Sequence, residues 1–151
     1  MLSFHFVVKT TVFFLFLGYT KLKFKIYHSG GNFIMNAYPY VKNIEHEKVL
    51  KIADQVNAEA GQVVSKTLAQ NDFVSVTLFA FARGEEIGTH DSIGDAMVTV
   101  IEGTGKFVVD GKEYIVNQGE TLVMPAKKPH SVHAMEAFKM MLVVIFPLEQ
   151  D

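Results

Sequence analysis

The run Gly105-Lys-Phe-Val-Val-Asp110-Gly111-Lys-Glu-Tyr-Ile-Val116 reads as two short strands joined by a two-residue turn. Asp-Gly suits the two positive-φ positions of a tight hairpin, and the flanking residues are largely β-branched or aromatic. Working outward, the same pattern recurs. Gly103 precedes this run, Gly119 and Pro125 punctuate the chain beyond it, and β-rich runs cover 62–69, 73–82, 96–101, 105–109, 112–116, 121–124, 131–135 and 138–146. Strands this short and this regularly spaced predict an all-β sandwich or barrel. No βαβ alternation, glycine-rich phosphate loop, low-complexity tract or internal repeat is present.

Before Gly61 the period changes. Asn43 stands where a helix cap would, Glu45 and Glu47 lie where the helix dipole favours anions, and Val49, Ile52, Val56 and Ala60 recur at helical spacing. The spacing predicts one amphipathic helix over about 44–60.

A chain of 151 residues is enough for one domain with a proper core and too short for two ordinary ones. Fourteen basic residues against 16 acidic ones leave no whole-chain electrostatic footprint for nucleic acid. With no Cys, disulfides, thiolate metal sites and cysteine nucleophiles are excluded. Any metal chemistry falls to His, Asp or Glu.

Residues 1–34 differ in kind from the rest. They carry four lysines and no acid, for a local charge of +4, and seven of the 13 phenylalanines; residues 35–151 hold a net −6. The longest apolar run, Val12 to Leu17, falls short of the roughly 18–20 residues that span a bilayer. No Lys or Arg precedes Lys9, no small-x-small cleavage site is present after the apolar run, and the cluster Lys21, Lys23, Lys25 lies on the wrong side for a secretory signal. Gly30-Gly31 can be encoded as a ribosome-binding sequence three residues before Met35. The expectation is a cytoplasmic protein translated from Met35, with 1–34 as upstream sequence read in frame. The alternative is a genuine signal or anchor that exports the chain or tethers it to a membrane.

Two blocks resemble the motifs of the cupin family. Gly84-Glu-Glu-Ile-Gly-Thr-His90-Asp-Ser92-Ile-Gly-Asp95-Ala96, continuing through Val100-Ile-Glu-Gly103, is similar to the first, and Gly119-Glu-Thr-Leu-Val-Met-Pro125-Ala-Lys-Lys-Pro-His130-Ser-Val-His-Ala134 to the second. The resemblance, to single-domain cupin-2-type proteins, covers about 61–146. It implies a double-stranded β-helix, or jelly-roll barrel, over 61–148, preceded by an extension over 35–60 with one short helix, and a ligand site inside the barrel.

In metal-binding cupins two histidines and a Glu of the first motif and a His of the second converge on one ion. Here His90 and His130 stand at two of those positions, Ser92 and Ala96 at the other two, and Ala134 where the second motif usually ends in Asn. Alternation places His130, Val132 and Ala134 on one strand face and His133 on the other. Asp95 is the nearby carboxylate that would complete a set for Zn, Fe, Mn or Ni, and it turns inward only through a bulge at Ile93-Gly94.

Three functions stay open on these residues. The first is a barrel that binds a small organic molecule. The second is an enzyme, either a metal-dependent dioxygenase or isomerase using His90, His130 and Asp95, or a metal-free acid/base catalyst using the two imidazoles. The third is a membrane-tethered barrel. Two histidines 40 positions apart can also be hydrogen-bonded core residues with no chemistry. Lys127 and Lys128 form a turn that is either plainly solvated or a basic rim for an acidic ligand. The resemblance further implies a homodimer that pairs sheet faces or exchanges an edge strand, with 62–69 as the edge.

Overall fold

The computed structural model describes residues 40–148. Residues 1–34, with their start-site, signal and anchor alternatives, lie outside the described residues. Among the described residues nine strands come after a single 3-10 turn at Ile52–Gln55: β1 (Val63–Gln70), β2 (Val74–Phe81), β3 (Glu86–His90), β4 (Asp95–Glu102), β5 (Thr104–Val109), β6 (Lys112–Asn117), β7 (Thr121–Met124), β8 (His130–His133) and β9 (Phe138–Ile145). They form two antiparallel sheets, β1-β2-β9-β4-β7 and β3-β8-β5-β6. The order, with β9 between β2 and β4 and β8 between β3 and β5, is the jelly-roll weave. The expected hairpin joins β5 to β6: Val109 pairs with Lys112, and Asp110 and Gly111 take φ of 50° and 78°.

Period-two alternation determines what lies between the sheets. In β4, Ala96, Val98 and Val100 are buried while Asp95 and Met97 face out; in β5, Gly105, Phe107 and Val109 are buried. The centre is aromatic. Phe81 stacks on Phe138 at 4.8 Å between ring centroids, and Phe107 meets Phe138 edge-on at 6.2 Å. Gly105 makes room for them, since a Cβ there would stand 2.7 Å from the Phe138 ring and 2.8 Å from the Phe107 ring.

The helix expected over 44–60 does not form; an extended segment with the single 3-10 turn takes its place. Asn43 and Glu47 have φ of 60° and 56°, and Asn43 Nδ2 donates to the Thr67 carbonyl of β1 instead of capping a helix. Val49 is fully exposed, whereas Ile44, Ile52, Val56 and Ala58 pack on Leu68, Leu78 and Ala80 of the outer face of the first sheet. Tertiary burial overrides a weak local preference, because β-branched residues gain little from helix and an extended chain spreads its apolar side chains over more of the sheet. Two lysines fasten this strap: Lys66 Nζ donates to the Gln55 carbonyl, and Lys139 Nζ to the Ala53 carbonyl and to Asn57 Oδ1.

Candidate functional site

His130 opens β8 and sits directly between His90 of β3 and Val109 of β5. Along β3, Ile87 pairs with Val132 and His90 with His130, so β3 carries one more residue than β8 between these pairs. The extra residue is a bulge at Gly88-Thr89. Without it, His90, three places after Ile87, would face the opposite side of the sheet. With it, the two rings meet edge-to-face, 4.4 Å between centroids. His130 is only 4% exposed and His90 is exposed, so the pair runs from the interior to the surface.

Each ring is oriented by a backbone carbonyl. His90 Nδ1 lies 2.9 Å from the Gly88 oxygen and His130 Nδ1 2.9 Å from the Lys128 oxygen. A carbonyl only accepts, so both Nδ1 atoms carry hydrogen, and each neutral ring keeps its Nε2 lone pair for another partner. Long-range proton–nitrogen NMR spectra at alkaline pH are expected to show both rings as the Nδ1-protonated tautomer; an Nε2-protonated ring at either position would contradict this orientation.

The loops around the pair are knitted together. Lys127 N donates to the Ser92 carbonyl, Asp110 N to the Pro129 carbonyl, and Ala126 N to Asp95 Oδ1 at 2.8 Å. Lys128 pairs with Asp110, and Lys127 is exposed. Asp95 therefore does not turn inward as its role as a third ligand requires. It continues the alternation of β4 on the outer side, opposite Ile145, while Ala96 faces the interior. Gly94 serves a close approach instead of a bulge, because a Cβ there would collide with the Ile145 carbonyl. Ser92 lies beyond the end of β3, and its Oγ accepts from Gly94 N.

His133 points away from the interior, as alternation requires. Its Nδ1 donates to Glu86 Oε2 at 2.9 Å, and the Ser131 hydroxyl reaches its Nε2 at 2.8 Å. This outer link ties β3 to β8 one pair beyond Ile87–Val132, on the far side of the bulge from the histidine pair.

A family model described as a cupin domain matches residues 77–146. A cupin superfamily protein from Desulfitobacterium hafniense is 30% identical, with a TM-score of 0.68, over 71% of this chain and 98% of that one. The chain belongs to the cupin superfamily. This cupin is also 44% identical to a conserved protein of unknown function from Streptococcus pyogenes, over 76% of this chain and all of that one, with a TM-score of 0.72. A mutant salicylate 1,2-dioxygenase from Pseudoaminobacter salicylatoxidans, 19% identical over 61% of this chain and 28% of that one, with a TM-score of 0.53, shares the fold alone. No curated protein matches.

His90 and His130 offer two imidazole Nε2 atoms, and among the described residues no three His, Asp or Glu side chains gather closely enough to hold an ion. A firmly held catalytic ion takes three protein ligands as a rule. The residues present fall short of that set. Both histidines are legible from their motif positions, whereas the bulge that brings them together and the Glu86–His133–Ser131 link are not. Gly88 between Ile87 and His90 was the signal for the bulge.

Proposed function

We propose that this cupin binds a small organic molecule at the open end of its barrel, with the His90–His130 pair as its polar contact. One observation carries the reading: two imidazoles in edge-to-face contact, each held by a carbonyl through Nδ1, keep their Nε2 lone pairs for another partner, and the inner one, His130, lies beside the buried Val109 and Val132. Sites of this kind combine apolar walls with a few placed polar groups. Two acceptors side by side suit a ligand that donates, such as a hydroxyl. The same pair can move a proton in a metal-free acid/base step.

A metal-dependent enzyme of dioxygenase or isomerase type is the second reading. Its support is the orientation of both rings, since metal-bound histidines are typically fixed by a hydrogen bond from the other ring nitrogen. Elemental analysis of the full chain, purified without chelator or affinity histidines, is expected to show well under one Zn, Fe, Mn or Ni per chain. A stoichiometric ion lost in both His90→Ala and His130→Ala would carry the enzyme reading instead.

Self-association belongs to the same proposal. On the outer face of the first sheet, Val76, Val143, Met97 and Val123 lie in one register row across β2, β9, β4 and β7, with Met97 39% and Val123 53% exposed. The β1 edge is less free, since Lys42 N and Asn43 Nδ2 already occupy the Leu68 and Thr67 carbonyls. The reading is a homodimer through the sheet face, and sedimentation is expected to give a dimer that Met97→Lys converts to monomer; a wild-type monomer would sink it. No helix among the described residues is long and apolar enough to cross a membrane. The proposed compartment is the cytoplasm.

A further inference from the structure

At the end of the barrel away from the histidines, a half-open surface cavity of about 350 Å³ is lined by Thr104 and by the exposed Arg83, Met135 and Glu136. Met135 lies five residues beyond His130 along the chain, about 17 Å if the backbone stays extended. The cavity belongs to a different site. Its size is at the lower end for small-molecule sites, roughly 300–1,000 Å³.

Its walls are held by backbone contacts. Gly84 N donates to the Ala134 carbonyl at 2.7 Å and Ala134 N to the Glu85 carbonyl at 2.9 Å, joining the β2–β3 turn to the β8–β9 loop. Gly103, at φ of 76°, passes so close to the β8–β9 loop that a Cβ would stand 2.7 Å from the Ala137 carbonyl. Arg83, Glu136 and Thr104 are therefore carried on mutually braced segments.

Arg83 is the single arginine of the chain, among 13 lysines. Its guanidinium is a planar fork matched to carboxylates. Glu136 lines the same cavity, yet neither residue belongs to an ion pair among the described residues. A cation and an anion thus share one cavity without closing on each other.

We infer that this cavity binds a small zwitterion of the α-amino-acid class. The ligand carboxylate pairs with Arg83, its ammonium with Glu136, and its side chain lies along the exposed Met135. Thr104 supplies a hydroxyl to the carboxylate. Because both charged residues are exposed, solvent screens the contacts and the expected Kd is on the order of 1 mM.

The test is an amide NMR titration of the isotope-labelled full chain with L-leucine, with acetate and n-butylamine as separate half-ligands. Saturable shifts at Arg83, Thr104, Met135 and Glu136 are expected with L-leucine, and at least roughly tenfold weaker binding with either half-ligand. Arg83→Gln and Glu136→Gln should each weaken L-leucine binding about tenfold with the remaining spectrum unchanged, and His130→Ala should leave it intact. Three results would each overturn the assignment: no saturable shift up to about 20 mM L-leucine, acetate binding as tightly as L-leucine, or indifference to Glu136→Gln. Since His130→Ala reads the other end of the barrel, failure here and failure of the histidine-pair reading are distinguishable.

Discussion

Phe138→Ala should lower the unfolding free energy by about 3–5 kcal/mol, the range for removing a buried aromatic ring. Phe138 is 1% exposed, stacks on Phe81 and receives Phe107 edge-on, so its loss removes a partner from two other buried rings. Gly105 adds to the cost. It lacks a side chain because the Phe138 and Phe107 rings occupy that space, and with Phe138 gone nothing nearby on β5 fills the void. Urea denaturation of the two proteins side by side measures the difference. A loss below about 1 kcal/mol would mean that the ring cluster is not the centre of the core. The opposite change, Gly105→Ala, should cost about 1–3 kcal/mol by overpacking.

Gly94→Ala is expected to destabilise by about 2–3 kcal/mol and to disturb the histidine pair as well. Its Cβ meets the backbone carbonyl of Ile145, with the Ile145 carbonyl carbon and Phe146 Cα close behind, so no side-chain rotation relieves the clash. The strand must move. Gly94 immediately precedes Asp95, whose Oδ1 accepts from Ala126 N and ties the first motif loop to the turn before His130. A shift of β4 at this point therefore loosens the rim, and the proton–nitrogen spectra of His90 and His130 should change along with the denaturation midpoint. Asp95→Asn is the control. It keeps an oxygen acceptor for Ala126 N and should be nearly neutral, whereas Asp95→Ala should cost about 1 kcal/mol through the lost hydrogen bond. If Asp95→Asn proved as damaging as Gly94→Ala, the carboxylate would have a role beyond that bond.

The strands were legible because their signals are local. Asp110-Gly111 demands its turn whatever surrounds it, and alternation in 96–101 and 105–109 names a buried face without naming its partner. Glycine and proline spacing across the two motif blocks placed His90 and His130 at related positions, and strand alternation set His133 on the face opposite His130; in the structure the rings of His90 and His130 meet, and His133 bonds Glu86 on the outer side. The run 62–69 supplies β1, which terminates its sheet.

Register and long-range packing were not legible in the same way. Whether β3 bulges at Gly88-Thr89 depends on how it pairs with β8, some 40 residues away, and that bulge decides that His90 faces His130. Asp95 stays outside because β4 is held in step with β9 and because Ala126 N satisfies its carboxylate. The 44–60 segment reads as a helix from its spacing but lies extended, since the apolar face of β1 and β2 offers more burial than helical hydrogen bonding returns to β-branched residues. Periodicity encodes which side of an element is apolar; the partner strand, through its hydrogen-bond register, sets where that side points and what it meets.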